Sequence, residues 1–218
     1  MTLFKLAPLT TCLALSVASF AATADNHPVS GTSPEAVQAV MQASFVEKGL
    51  AKLDRLEQSD MQRICSQMDM SNKPLTSEQA AKITKEAMES VKNPADGKYL
   101  GDWRAGEKVA QSGRGLQTSD KPGSPNGGNC YACHQMTKAE ISFGNIGPTL
   151  LHYGKIRGDS KEIIQYTWNK IYNSHSTNAC SVMPRFGAAG ILTEQQMKDV
   201  MALLFDPKSP VNDDSVIP

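Results

Sequence analysis

Cys130-Tyr131-Ala132-Cys133-His134 is the stretch of sequence on which the interpretation of the whole chain depends. The pattern C-x-x-C-H is typical of covalent attachment of a c-type haem. Two thiols at this spacing can bond to the two vinyl groups of one porphyrin, and the adjacent imidazole can bind the iron as an axial ligand. The sequence therefore predicts one covalently bound haem c, held by Cys130 and Cys133, with His134 on the iron.

Two other sites can contain a C-x-x-C pair. A thioredoxin-like redox dithiol is expected beside a βαβ pattern, and a zinc site needs two further ligands at compatible spacing. No strand-like run flanks Cys130, and the 218-residue sequence has no second C-x-x-C and no H-x-x-x-H. Haem attachment is therefore favoured, with zinc and a redox dithiol kept as alternatives.

The second axial ligand is predicted to be Met183. It precedes Pro184 in a loop between two predicted helices, outside any helical pattern. Met197 and Met201 have helical spacing and are predicted to fill the core instead. A thioether ligand favours ferrous iron and raises the reduction potential, which suits electron transfer.

Three residues remain alternatives for the second ligand: His152, His175 and Cys180. Each histidine can equally be structural or solvated, and a thiolate would lower the potential. The Gly147-Pro148 pair is predicted to shape the loop on the haem side, where a carbonyl can orient the ring nitrogen of His134.

The N-terminus has the form of a secretory signal peptide. Lys5 is followed by an apolar stretch and by Ala22-Thr23-Ala24, which predicts a signal peptide over residues 1–24 and export to a periplasm. Removing it takes away Lys5 and leaves 21 basic and 22 acidic residues, net −1. This balance argues against nucleic acid or an anionic membrane surface as a partner, and no membrane insertion is expected after cleavage.

Two cysteines of the mature chain lie outside the C-x-x-C-H motif. Cys65 and Cys180 form an even pair, and in an oxidising compartment a disulfide is the expected outcome. Such a bridge would connect the N-terminal part of the chain to the haem-binding part.

The remaining pattern is helical. Capping boxes at Thr76 and Thr193 and an amphipathic run from about Ser160 to Tyr172 predict three helices, and another is expected from about Trp103. The apolar positions after Ser33-Pro34 are predicted to face a core; they are Val37, Val40, Met41, Phe45, Leu50, Leu53 and Leu56. The predicted fold is mainly α: a small helical N-terminal extension over 25–98, a class I cytochrome c domain over 99–209, and a C-terminal tail over 210–218.

Several ordered motifs resemble the SoxX family, the monohaem subunit of the SoxAX sulfur-oxidation complex. They span about residues 99 to 206, and the N-terminal extension is not part of the minimal pattern. The matching pieces are Gly101-Asp102-Trp103 with Gly106-Glu107-Lys108, Gly128 to His134, Gly144 to Pro148 with Tyr153 to Arg157, and Met183 to Gly187 followed by Gly190 to Thr193.

The resemblance implies a heterodimer with a SoxA-type haem subunit. That complex oxidatively attaches thiosulfate to a cysteine of the SoxYZ carrier, an L-cysteine S-thiosulfotransferase reaction. In this picture the present chain has no catalytic residue; its His134/Met183 haem accepts electrons and passes them to a small cytochrome c. The alternative is a free-standing periplasmic electron-shuttle cytochrome c, and a third possibility is a ligand-binding haem sensor with an open distal site.

Overall fold

The computed structural model describes residues 33–213. The predicted signal peptide and the polar stretch up to residue 32 lie outside the described residues, as do residues 214–218 of the predicted tail. Within 33–213 the protein is mainly helical and contains no strand, which confirms the mainly α prediction.

Seven α-helices follow one another along the described chain. Three short 3₁₀ turns separate them, at Leu53–Leu56, Cys130–Ala132 and Ser174–Ser176. The helices are α1 (Pro34–Ser44), α2 (Asp60–Ser71), α3 (Ser77–Glu89), α4 (Trp103–Gln111), α5 (Tyr153–Arg157), α6 (Lys161–Tyr172) and α7 (Glu194–Phe205).

Local side-chain chemistry explains where three of these helices begin. In each, the side chain of the residue before the helix accepts a hydrogen bond from the backbone N–H three residues on. The side chain of the glutamine at that position accepts in turn from the backbone N–H of the first residue. This exchange satisfies backbone donors that a helix start leaves unpaired. The pairs are Ser59 with Gln62 (α2), Thr76 with Gln79 (α3) and Thr193 with Gln196 (α7).

The chain divides into two compact units, and the division falls between Met41 and Gln42. Residues 33–41, the described part of the first unit, are the opening turns of α1, where Ser33 Oγ accepts from Ala36 N at 3.2 Å. The second unit contains α2 and α3 together with α4 to α7, so the predicted extension does not separate from the rest near residue 98.

The apolar positions following Ser33-Pro34 do not form a core, which corrects the sequence prediction. Val37, Val40, Phe45 and Leu53 are 45%, 64%, 53% and 42% exposed, and α1 buries none of its residues. Apolar spacing shows that a helix has an apolar face but not that anything covers it.

The close crossing of α4 and α7 organises the second unit. A Cβ at Gly106 would stand 2.0 Å from the backbone oxygen of Asp199, so only glycine permits this approach. The Asp199 carboxylate also accepts from the backbone N–H of Asp102, at 2.9 Å, and so ties the start of α4 to α7. The methionines of α7, Met197 and Met201, are buried, as predicted.

A buried cluster joins α6 and α7 to the loops. Trp168 of α6 is fully buried, and its indole N–H donates to the carbonyl of Lys92 at 2.9 Å. Val211 belongs to the same cluster, and the buried Asn212 donates to the carbonyls of Leu204 and Asp206. The ordered core therefore continues past residue 209, where the sequence placed the start of the tail.

No helix within residues 33–213 combines the length and apolar character needed to cross a bilayer.

Candidate haem-binding site

The C-x-x-C-H motif forms one tight turn that lies beside the last turn of α4. Gly128 N donates to the carbonyl of Val109 at 2.8 Å, and this bond fixes the segment entering the motif. Inside the motif, His134 N donates to the carbonyl of Cys130 at 2.9 Å. The turn therefore holds both thiols and the imidazole in one short stretch of ordered backbone.

A second segment runs back along the motif and orients the imidazole. Gly147 N donates to the carbonyl of Cys133 at 2.8 Å, which brings the neighbouring Pro148 carbonyl within 2.7 Å of His134 Nδ1. A carbonyl only accepts, so Nδ1 carries the proton and Nε2 keeps its lone pair. The predicted orientation of His134 by the Gly147-Pro148 pair is therefore present, and it leaves the nitrogen that a metal would use.

Gly147 packs directly against the ring of His134. A Cβ at this position would stand 2.2 Å from Cε1, 2.5 Å from Nδ1 and 2.7 Å from Nε2. These separations are shorter than any van der Waals contact, so a side chain at 147 and this ring position exclude each other.

Met183 lies in the loop between α6 and α7, and both of its backbone polar groups are hydrogen-bonded. Ser174 Oγ donates to the Met183 carbonyl at 2.5 Å, and Met183 N donates to Ser181 Oγ at 3.3 Å. Two serines therefore fix a residue that belongs to no helix.

The motif and residues 177–187, here named the Met183 loop, line one cavity of about 730 Å³. Its size falls within the roughly 300–1,000 Å³ typical of small-molecule and cofactor sites, and most of its wall is apolar. Cys130, Cys133, His134 and Met183 all contribute to the lining, as do the apolar side chains of Met136, Leu150, Ile171, Phe186, Leu192, Val200 and Leu204.

The charged side chains among the lining residues are both cations, Arg157 and Lys170. Burial lowers the pKa of Lys170, and its ammonium donates to the Ser174 carbonyl at 3.2 Å and to Ser181 Oγ at 3.4 Å. An apolar cavity bordered by two cations suits a large, flat, mostly apolar ligand that carries carboxylates.

The Cys130 thiol does not have the character expected in a redox dithiol. Burial raises the pKa of Cys130 to about 12, whereas reactive C-x-x-C pairs depend on a lowered thiol pKa. The burial of Cys130 therefore weighs against the alternative of a thioredoxin-like pair.

The structure places the three alternatives to Met183 in other roles. Cys180 and Cys65 form a disulfide with a Cα–Cα distance of 5.4 Å, so Cys180 offers no thiolate. His175 is buried, with Nε2 donating to the Ser181 carbonyl at 3.0 Å and Nδ1 lying against Met61 Sδ. His152 precedes α5 and its backbone N–H donates to the carbonyl of Val211; it is not among the lining residues.

Sequence reasoning missed the residues that support the site rather than form it. The sequence assigned no role to Ser174, Ser181 or Lys170, and it marked Arg157 only as the end of a motif. No local pattern distinguishes them, because their importance comes from contacts that form only when the loops fold together.

Acid should weaken the fold through His175. Burial, with the nearby charges of Arg185 and Lys170, lowers the pKa of this imidazole, and the bond to Ser181 opposes the shift. The unfolded chain therefore takes up a proton near pH 6.5 that the folded chain resists, so stability is complete above that pH and declines below it.

The measurement is the urea midpoint at pH 7.5 and pH 5.5. We expect the native protein to lose stability at the lower pH and His175→Gln, which keeps a donor for Ser181 but cannot titrate, to lose less. Equal losses for the two proteins would contradict the assignment.

The chain is similar to an uncharacterized bacterial lipoprotein. No family model matches it. Over 133 residues it is 42% identical to an uncharacterized lipoprotein of Aquifex aeolicus (strain VF5). The alignment covers 61% of this chain and 63% of that protein, so the chain spans a little under two thirds of the relative's length.

Proposed function

We propose that this chain is a monohaem c-type electron-transfer protein built on a class I cytochrome c domain. The observation that carries the proposal is the convergence of Cys130, Cys133, His134 and Met183 on a single apolar cavity. The motif and the methionine are about fifty positions apart in the sequence, and their meeting at one cavity is what a haem with two protein ligands requires.

The residues present fit a covalently bound haem. The Cys130 and Cys133 thiols are free for thioether bonds, and His134 presents Nε2 while the Pro148 carbonyl holds Nδ1. Arg157 and Lys170 offer partners for the two carboxylates of the macrocycle. The bound iron would supply a reversible one-electron change, and the chain's own residues would hold it, orient its ligands and exclude water.

The more specific proposal is a role as the SoxX-type subunit of a sulfur-oxidation complex. Its support is the resemblance of the ordered motifs across residues 99 to 206. In that role the chain receives electrons released when thiosulfate is joined to the SoxYZ carrier by a SoxA-type partner, and it passes them to a small cytochrome c. No residue of this chain is proposed to be catalytic.

An extracytoplasmic location follows from the same proposal. The signal-like N-terminus supports export, and the relative from Aquifex aeolicus is described as a lipoprotein, a class of exported envelope proteins. We place the mature chain in the periplasm, the compartment in which the Cys65–Cys180 disulfide is also stable.

Replacing Met183 tests the second ligand directly. We expect Met183→Ala to retain covalent haem but to lose the long-wavelength charge-transfer band of ferric methionine-ligated haem, and to lower the reduction potential. Met197→Ala is the matched control, because Met197 is a buried core residue and should affect stability alone. An unchanged spectrum in Met183→Ala would assign the second ligand elsewhere.

Purification of the native protein distinguishes the proposed roles. Co-purification with a second haem protein, and thiosulfate turnover only in its presence, supports the SoxX-type subunit. A monomer with an intact methionine band supports a free shuttle, and rapid carbon monoxide binding by the reduced protein supports an open-site sensor.

A further inference from the structure

The Met183 loop, residues 177–187, contacts a helix, α2, that lies more than a hundred positions earlier in the chain. Cys180 is bonded to Cys65 of α2, across 115 positions of sequence. A second contact joins the same elements, since Met61 of α2 lies against the imidazole of His175, just before the loop. The N-terminal extension therefore contacts the loop at Cys180 and the residues just before it at His175.

Both connections lead to the backbone of Met183. From the disulfide, Cys180 is followed by Ser181, whose Oγ accepts from Met183 N at 3.3 Å. From Met61, His175 is preceded by Ser174, whose Oγ donates to the Met183 carbonyl at 2.5 Å. His175 also links the two paths, because its Nε2 donates to the Ser181 carbonyl at 3.0 Å.

Helix α3 and the segment after it contact α6, the helix that leads into the Met183 loop. Side chains of α6, and of Asn173 just after it, donate four hydrogen bonds to residues 88–93 of the extension. Gln165 donates to Asn93 at 2.9 Å, Trp168 to the Lys92 carbonyl at 2.9 Å, Asn169 to Met88 Sδ at 3.3 Å, and Asn173 to Ser90 Oγ at 2.9 Å. The helix that leads into the Met183 loop is thus fixed to the extension from its middle to its end.

The part of the loop around Cys180 and Met183 is irregular backbone, while its C-terminal end is tied to α6, where Gly187 N donates to the Tyr172 carbonyl at 3.0 Å and Phe186 is buried. No helix includes Met183, and Cys180 has a φ of 58°, a left-handed conformation that a non-glycine residue keeps only where its surroundings impose it. The Met183 thioether can bind iron only while the loop holds it at the cavity, which is the closed position of the loop. The fraction of time that the loop is closed therefore sets the fraction of haem with methionine bound.

We infer that α2 and α3 form a clamp that positions Met183 as the iron ligand, with Cys65, Cys180, Met61 and His175 as its positioning residues. This inference rests on the proposed function, because it concerns how that site is held. It gives the N-terminal extension a task that the minimal sequence motifs do not include: to keep the sixth position of the iron closed. Loosening the clamp opens that position while leaving the covalent attachment untouched.

The test uses the full-length haem-loaded protein and the double variant Cys65→Ser with Cys180→Ser. We expect covalent haem to remain, the methionine charge-transfer band to weaken, and carbon monoxide to bind the reduced protein about tenfold faster. A tenfold change corresponds to about 1.4 kcal/mol of lost restraint on the closed loop. A purely structural bridge would lower the unfolding midpoint and leave the spectrum and the binding rate unchanged.

Asp102→Ala is the matched control, because it removes the N-cap of α4, which belongs to neither helix of the clamp. It should lower the unfolding midpoint but keep the band and the slow carbon monoxide binding. If the double variant does not fold, Met61→Ala decides the question with the disulfide intact: faster carbon monoxide binding supports the clamp, and the native rate overturns it.

The outcomes separate this inference from the proposed function. A native protein with haem and a methionine band, together with a double variant of native spectrum and native binding rate, overturns the clamp and leaves the proposed function standing. A native protein that carries no haem overturns the proposed function itself.

Discussion

Replacing Cys130 and Cys133 together with alanine should yield a colourless protein whose mass matches the bare mature polypeptide. Both thioether bonds depend on these two thiols, which are free and line the cavity. Loss of the haem also removes the iron–ligand bonds and apolar contacts that it would make only in the folded state, so the variant should unfold at a lower temperature. Intact-mass measurement and haem staining after denaturing electrophoresis detect the first effect, and thermal unfolding detects the second.

The other cysteine pair provides the control for this experiment. Cys65→Ser with Cys180→Ser removes the same number of sulfur atoms but leaves the C-x-x-C-H motif intact. It should retain covalent haem. Equal haem content in the native protein and in Cys130→Ala with Cys133→Ala would mean that the motif does not attach the cofactor.

Gly147→Ala should disrupt the axial imidazole while leaving the thioether bonds in place. The added methyl would occupy space 2.2 Å from His134 Cε1, so the ring must turn away and its 2.7 Å bond to the Pro148 carbonyl must break. We expect loss of the low-spin haem spectrum and destabilisation of about 1–3 kcal/mol, the usual cost of overpacking. Absorption spectra of both oxidation states and urea unfolding measure these effects.

Gly113→Ala is the matched control for this substitution. Its added Cβ would lie 3.4 Å from the nearest atom of Asn129, an ordinary contact, so both spectrum and stability should change little. A native low-spin spectrum in Gly147→Ala would show that the imidazole does not lie against this glycine.

The sequence predicted those parts of the fold that depend on neighbouring residues. The capping boxes at Thr76 and Thr193 are present, because a box needs only the chemistry of four consecutive positions. The irregular backbone at Gly147-Pro148 was also predictable from these two residue types, whereas the bond between His134 and the Pro148 carbonyl joins residues 14 positions apart and depends on the folded loop.

Other features could not be predicted, because they depend on distant contacts. Val37 and Val40 have helical spacing, yet spacing does not reveal whether a partner covers them, and both are exposed. The contact between Met61 and His175 joins residues 114 positions apart, and neither residue carries a local signal for it. Gly106 likewise reads as an ordinary helix glycine until the crossing with α7 is known.

Under the proposed function, maturation of this protein must treat its two pairs of cysteines in opposite ways. Cys65 and Cys180 have to be oxidised to each other, while Cys130 and Cys133, only three positions apart, have to stay reduced until a porphyrin is attached. Four thiols can pair completely in three ways, and each of these ways consumes the motif. Assembly therefore requires either that porphyrin addition comes before oxidation or that a thiol reductant protects the motif, and the yield of coloured protein should depend on that order.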